Sequence, residues 1–190
     1  AQLLKKNPGF QKQQLSNLKA HLYQEILASV RLLQQNENID LQLNEQLDFA
    51  RILYNKGLNI QSLKVLDKVK EMAKANNQVT YIQQVLFLEK KIEALYITRS
   101  MQDRAARLCK ESDEMNLRLS NISTLSNLSL LLYEWYIRHG HARNESDKKA
   151  LAIYFNHPLL HENEQEKGFY EKLYAYQCYC WYAFITQDFL

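Results

Sequence analysis

Little in this chain of 190 residues can make a tight turn: it has only four glycines and two prolines. Average usage is about 7% and 5%, so a fold of many short, tightly connected strands is excluded. Cysteine is also sparse. Cys109, Cys178 and Cys180 form no CxxC and leave an odd thiol, which argues against a disulfide framework or a zinc knuckle and fits a reducing cytoplasm. No apolar run approaches the roughly 18 residues that a membrane span needs; Leu125 to Tyr133 is broken by Ser126, Asn127 and Ser129.

Charge of one sign is lacking too. The net charge is +3, with five basic and two acidic residues in 1–38 and six basic and eight acidic in 119–190. Acids alternate with bases along each stretch, which is the pattern of solvated faces; a nucleic-acid surface needs clustered cations. Nucleic acid and membrane are therefore not expected as partners. Motifs for catalysis or cofactors are absent as well: no GxSxG, HExxH, Walker or GxGxxG pattern is found, so no enzyme activity and no cofactor is expected. His139, His141, His157 and His161 do not make a metal site. Pro158 separates 157 from 161, and no further ligands complete a set of four.

Helix formers fill the remainder, chiefly Leu, Gln, Lys, Glu and Ala. Leu15, Leu18, Leu22, Ile26, Val30 and Leu33 recur at intervals of three and four, which predicts one helix over roughly 10–36 with a single apolar stripe. A second helix is predicted over 41–56 (Leu43, Leu47, Ala50, Leu53, Tyr54) with Gly57 as its stop, and a third over 60–75 (Ile60, Leu63, Leu66, Val69, Met72, Ala73). Together they make an antiparallel hairpin. Further helices are expected over 78–97, from Ala105 to Leu119, from Asn121 to Arg138, over 146–155, and from Glu164 to Thr186. Helix ends at Gly57, near Arg99, at Gly140 and near Gln187 give a unit of about 40 to 47 residues, the length of helix-hairpin repeats.

The stretch Leu53-Tyr54-Asn55-Lys56-Gly57-Leu58-Asn59-Ile60-Gln61-Ser62-Leu63, followed by Leu66, Val69 and Ala73, resembles a tetratricopeptide repeat. Ala50, Gly57 and Ser62 match the small residues that the family keeps where its two helices cross. Helices packed about 8 to 10 Å apart have no room for bulk there. Gln46 stands where the family has Trp, Lys74 where it has Pro, and the later units match in rhythm alone. The long-helix rhythm is also similar to that of a group of bacterial helical proteins that carry no known activity.

The resemblance implies an all-α chain of antiparallel hairpins stacked as a right-handed α-solenoid, a tetratricopeptide-like superhelix. Residues 1–38 would be an N-terminal helical segment packing on the array, and 39–190 the repeats, continuing beyond 190. It further implies a non-catalytic scaffold that holds a peptide or partner protein on its concave face, with Asn44, Leu47, Arg51, Tyr54 and Asn55 facing the groove. Lys90 and Lys91 are further candidates for pairing a carboxylate. The alternative is a regulatory or nucleic-acid-associated module, a sensor or dimerisation arm, suggested by Lys5, Lys6, Lys12, Lys19 and Arg31 in the first helix.

Phe169, Tyr170, Tyr174, Tyr176, Tyr179, Trp181, Tyr182 and Phe184 occupy every side of the last predicted helix. Such a helix is expected to be core between neighbours, or a peptide-binding face, with further chain or a second copy covering its rings.

Overall fold

The computed structural model describes residues 12–34, 37–95 and 103–188. All regular structure among them is helical: α1 (Lys12–Gln34), α2 (Ile39–Asn55), α3 (Asn59–Ala75), α4 (Val79–Leu95), α5 (Arg104–His139), α6 (Glu145–Phe155), α7 (Pro158–His161) and α8 (Phe169–Thr186). Helices α2 to α5 each pack on the next, and α8 returns along α5 with α6 and α7 beside it. The break expected near Arg99 lies outside the described residues.

Local chemistry explains the boundaries. The Asn38 side chain accepts from the Asp40 and Leu41 amides and starts α2. At the other end Gly57 takes a φ of +77° while the Gly57 and Leu58 amides donate to the Tyr54 and Leu53 carbonyls, a Schellman closure open to a residue without Cβ. Asn77, with φ +56°, closes α3 in the same way through a bond from the Gln78 amide to the Ala73 carbonyl. Small residues meet at the predicted crossing of α2 and α3. Ala50 and Ser62 are fully buried, and the Ser62 hydroxyl donates to the Ala50 carbonyl at 2.8 Å.

Two expected boundaries are not found. The chain was expected to leave one helix and begin another at Asn121, yet α5 runs through that point for 36 residues. No Gly or Pro interrupts it, and the Asn121 side chain donates to Glu171 Oε1 at 3.1 Å across to α8, so it does not compete for its own backbone. The last helix starts at Phe169 and not near Glu164. Gly168 precedes it, and Glu171, three residues on, accepts from the Gly168 amide at 2.6 Å, a carboxylate cap that fixes the start there.

Two apolar cores result, one at each end of α5. Leu43, Leu47, Ala50, Leu66, Val69, Ala73, Ile82, Val85, Leu86, Leu88, Ile92 and Leu108 form the first. Leu125, Leu128, Leu132, Leu151, Leu160, Ala175, Cys178 and Ile185 form the second, with Trp135, Tyr136, Phe155, Tyr179, Trp181 and Tyr182 packed around it. The rings of α8 are thus covered in large part by α5, α6 and α7 of the same chain. Phe169, Tyr176 and Phe184 remain exposed.

Helix α1 forms as its spacing predicts. Its apolar stripe, expected against the array, is open to solvent from Leu18 to Leu33.

A cationic concavity between α2, α4 and α5

Three helices that bury one side each leave a hollow of about 770 Å³ between them. Leu43, Leu47 and Ala50 turn α2 towards the core, and Leu88 and Ile92 do the same for α4. Residues beside those stripes are left facing the hollow: Arg51, Tyr54 and Asn55 from α2, and Gln83, Gln84, Phe87, Lys90 and Lys91 from α4, where Leu88 reaches it too. Helix α5 closes the third side with Ser112, Asn116 and Leu119.

Of the five residues expected at a groove, Arg51, Tyr54 and Asn55 line it, together with Lys90 and Lys91. Leu47 does not. It is fully buried, because the stripe Leu43, Leu47, Ala50 is the one that α2 presents to the core. Asn44 is exposed on the same seam between α2 and α4, where its amide donates to the Tyr81 hydroxyl at 2.7 Å, but it is not part of the lining. Burial, and secondarily the charge of Asp40, raises the pKa of that Tyr81 hydroxyl, with the Asn44 bond opposing. Gln83, Gln84, Phe87 and Asn116 were not anticipated. The available signal was the spacing of Phe87 and Lys91, which runs beside the buried pair Leu88 and Ile92.

The polar groups are held in place. Arg51 pairs with Asp48 at 3.0 Å and donates to Gln84 Oε1 at 2.9 Å. Gln83 Nε2 donates to Asn116 Oδ1 at 2.5 Å and to the Ser112 carbonyl at 3.3 Å. Lys91 Nζ stands 4.6 Å from the centre of the Phe87 ring, and that ring is 64% exposed. The lining therefore offers Lys90, Lys91, an Arg51 already paired with Asp48, several amides and an aromatic edge, with no carboxylate among its own residues. That is chemistry for holding an anion beside an extended backbone.

A second polar feature ties α3, α4 and α5 together. Lys70 Nζ meets Glu89 Oε2 at 2.5 Å and Glu111 Oε2 at 3.1 Å, and Lys74 meets Glu111 Oε1 at 2.7 Å. Glu89 is 2% exposed. Burial raises its pKa even though Lys70 opposes the shift. Burial also pushes Glu111 upward, but its bonds to Lys74 and Lys70 together outweigh this and leave its pKa lowered.

His139, His141, His157 and His161 are each engaged by a main-chain group. His157 Nδ1 accepts from the Leu159 amide at the start of α7, and His141 Nδ1 lies 3.0 Å from the Phe184 carbonyl. Among the described residues no helix is long and apolar enough to cross a membrane, and no group of three or more His, Cys, Asp or Glu is placed to hold a metal ion.

Fold and site together define an all-helical chain with a cationic, aromatic-edged concavity. No family model matches it, and no curated protein or solved structure matches it either.

Proposed function

We propose that the chain is a non-catalytic interaction scaffold, in which hairpins stack as a tetratricopeptide-like right-handed solenoid and the hollow between α2, α4 and α5 takes an extended, acidic segment of a partner protein. The observation that carries this is the lining itself: Arg51, Lys90 and Lys91 line a hollow that has no carboxylate among its own residues, Asp48 beside it pairing with Arg51, next to the exposed Phe87 ring. A hydrogen bond to a charged group contributes about 1.5–3 kcal/mol when sheltered, while an exposed ion pair contributes about 0–1 kcal/mol. Several carboxylates and one apolar anchor would have to act together. The small residues at the α2–α3 crossing and the closures at Gly57 and Asn77 support the repeat reading. The free thiols fit a reducing compartment such as the cytoplasm.

The test is fluorescence anisotropy with a labelled 12-residue peptide rich in Asp and Glu, its Asn/Gln counterpart, and a single-stranded oligonucleotide of similar length. The acidic peptide should bind, weaken as salt rises, and lose at least about tenfold in affinity when Arg51 and Lys91 are both changed to Glu. Equal binding of the acidic and amide peptides, or of neither, would sink the proposal. Oligonucleotide binding with a steep salt slope, without peptide binding, would replace it with the regulatory, nucleic-acid-associated reading.

A further inference from the structure

Between α7 and α8 the chain makes an exposed acidic turn, Glu162-Asn163-Glu164-Gln165-Glu166. Glu162 enters it with extended backbone (φ −68°, ψ 159°). The Glu166 and Lys167 amides donate to the Asn163 and Glu164 carbonyls, and the Gln165 amide donates to Asn163 Oδ1, so the turn holds its own shape. None of its three carboxylates forms an ion pair among the described residues. Two cations stand nearby: Lys167, whose ammonium donates to the Leu160 carbonyl, and Arg118, whose guanidinium lies against Gly168. With both counted, the cleft beneath the turn is still acidic, because Glu114, Glu162, Glu166 and Glu171 line it together with them. Rings stand at its edge. Phe169 is 56% exposed just beyond the turn, and the exposed Tyr176 donates its hydroxyl to Glu164 Oε2 at 3.1 Å.

This surface is the counterpart of the hollow between α2, α4 and α5. One presents carboxylates beside an open ring; the other presents Arg51, Lys90 and Lys91 beside the open Phe87 ring, with Asp48 already paired to Arg51. Within one chain the two do not meet. Helix α5 gives Ser112, Asn116 and Leu119 to the hollow, and Glu114, Leu117, Arg118 and Asn121 to the cleft beneath the turn. At about 100° per residue these two sets lie on opposite sides of the helix, at the same height along it. A helix about 10 Å thick therefore stands between the turn and its own hollow. Only the hollow of another copy is open to it.

We propose that the hollow takes the acidic turn 162–166 of a second copy of this chain, with Phe169 carried towards Phe87, so that copies associate head to tail. This rests on the hollow being an acid-binding surface and makes the chain its own partner. The two patches differ and point opposite ways, so the contact is heterologous: each copy gives its turn to one neighbour and receives a turn from another. One turn and one ring make a small contact, and the association is weak and salt-dependent.

Sedimentation at low ionic strength, from micromolar to millimolar protein, should show an average mass that rises above the 22.5 kDa monomer with concentration and falls back as salt is added. Two variants separate the halves of the contact: Glu162→Gln with Glu164→Gln and Glu166→Gln in the turn, and Lys90→Gln with Lys91→Gln in the hollow. Each alone should associate at least about tenfold more weakly. An equal mixture keeps one intact hollow and one intact turn, and should form a complex of two chains and no larger. None of the five positions is buried, so the melting transition of Trp135 and Trp181 should stay in place. The labelled acidic peptide separates this contact from the reading beneath it, since it should bind the turn variant as tightly as the wild type and the hollow variant hardly at all. A chain that binds the peptide yet stays monomeric overturns the head-to-tail contact alone, and one that does neither overturns both. Association that survives in each variant, as through the open stripe of α1, or a mixture that stays monomeric, also overturns the contact.

Discussion

Where α2 crosses α3, Ala50 and Ser62 leave no space for anything larger than a hydroxymethyl group, whereas the gap between α8 and its neighbours is filled by rings. Phe155 stacks on Tyr182 with centroids 3.9 Å apart, and Tyr136 lies edge-on to Phe184 at 5.1 Å. The first core is aliphatic, closely apposed and crossed by a buried ion network. The second is aromatic, and in it the Tyr179 hydroxyl donates to the Leu160 carbonyl. One chain thus solves the same problem of helix apposition by removing bulk at one end and by adding shaped bulk at the other. Helix α5 belongs to both solutions.

The largest expected effect comes from breaking the ion network, which has no counterpart in the second core. Lys70→Met would leave Glu89 buried without its cation and remove one of the two lysines on Glu111. The expected loss is about 3–5 kcal/mol. Both tryptophans, Trp135 and Trp181, lie in or beside the second core, so their fluorescence reports that end while helical circular dichroism reports the whole chain. The dichroism midpoint should fall well below the fluorescence midpoint in this variant. If the two fall together, α5 couples the cores into one cooperative unit and the contrast between them has no thermodynamic meaning.

A smaller effect is expected at the crossing. Ser62→Phe or Ala50→Phe should cost about 1–3 kcal/mol by overpacking, again more visible by dichroism than by tryptophan fluorescence. Unchanged melting temperatures for both variants would show that the helices do not meet there.

The same contrast governs what was legible in the sequence. The first core was readable because its signals are local: a three-and-four spacing, a Gly with room to take positive φ, two small residues twelve apart. Leu47 was misplaced because the groove positions came from a family pattern, while burial is set by the stripe Leu43, Leu47 and Ala50. The far wall of the hollow escaped notice since Gln83 and Asn116 are brought together only by the packing of α5 on α4. At the second core the polar run around Asn121 resembled a loop. Its side chain answers to Glu171, fifty residues away, and no local rule contains that partner.

The smallest change, a single thiol, sharpens the comparison from the aromatic side. Cys178 is fully buried in the second core, its Sγ 3.6 Å from the Leu125 carbonyl, and burial pushes its pKa up to about 11. Cys109 and Cys180 are exposed. The thiolate is the reactive form, so the raised pKa leaves much less of Cys178 ionised at neutral pH than an exposed thiol, before any steric exclusion. An alkylating reagent followed by mass spectrometry should therefore show two fast modifications and one slow one. The slow rate is governed by opening of the α5–α8 packing, and Phe155→Ala, which removes the ring stacked on Tyr182, should speed it without changing the fast pair. Three modifications at one rate would mean that the rings around Cys178 do not close a core at all.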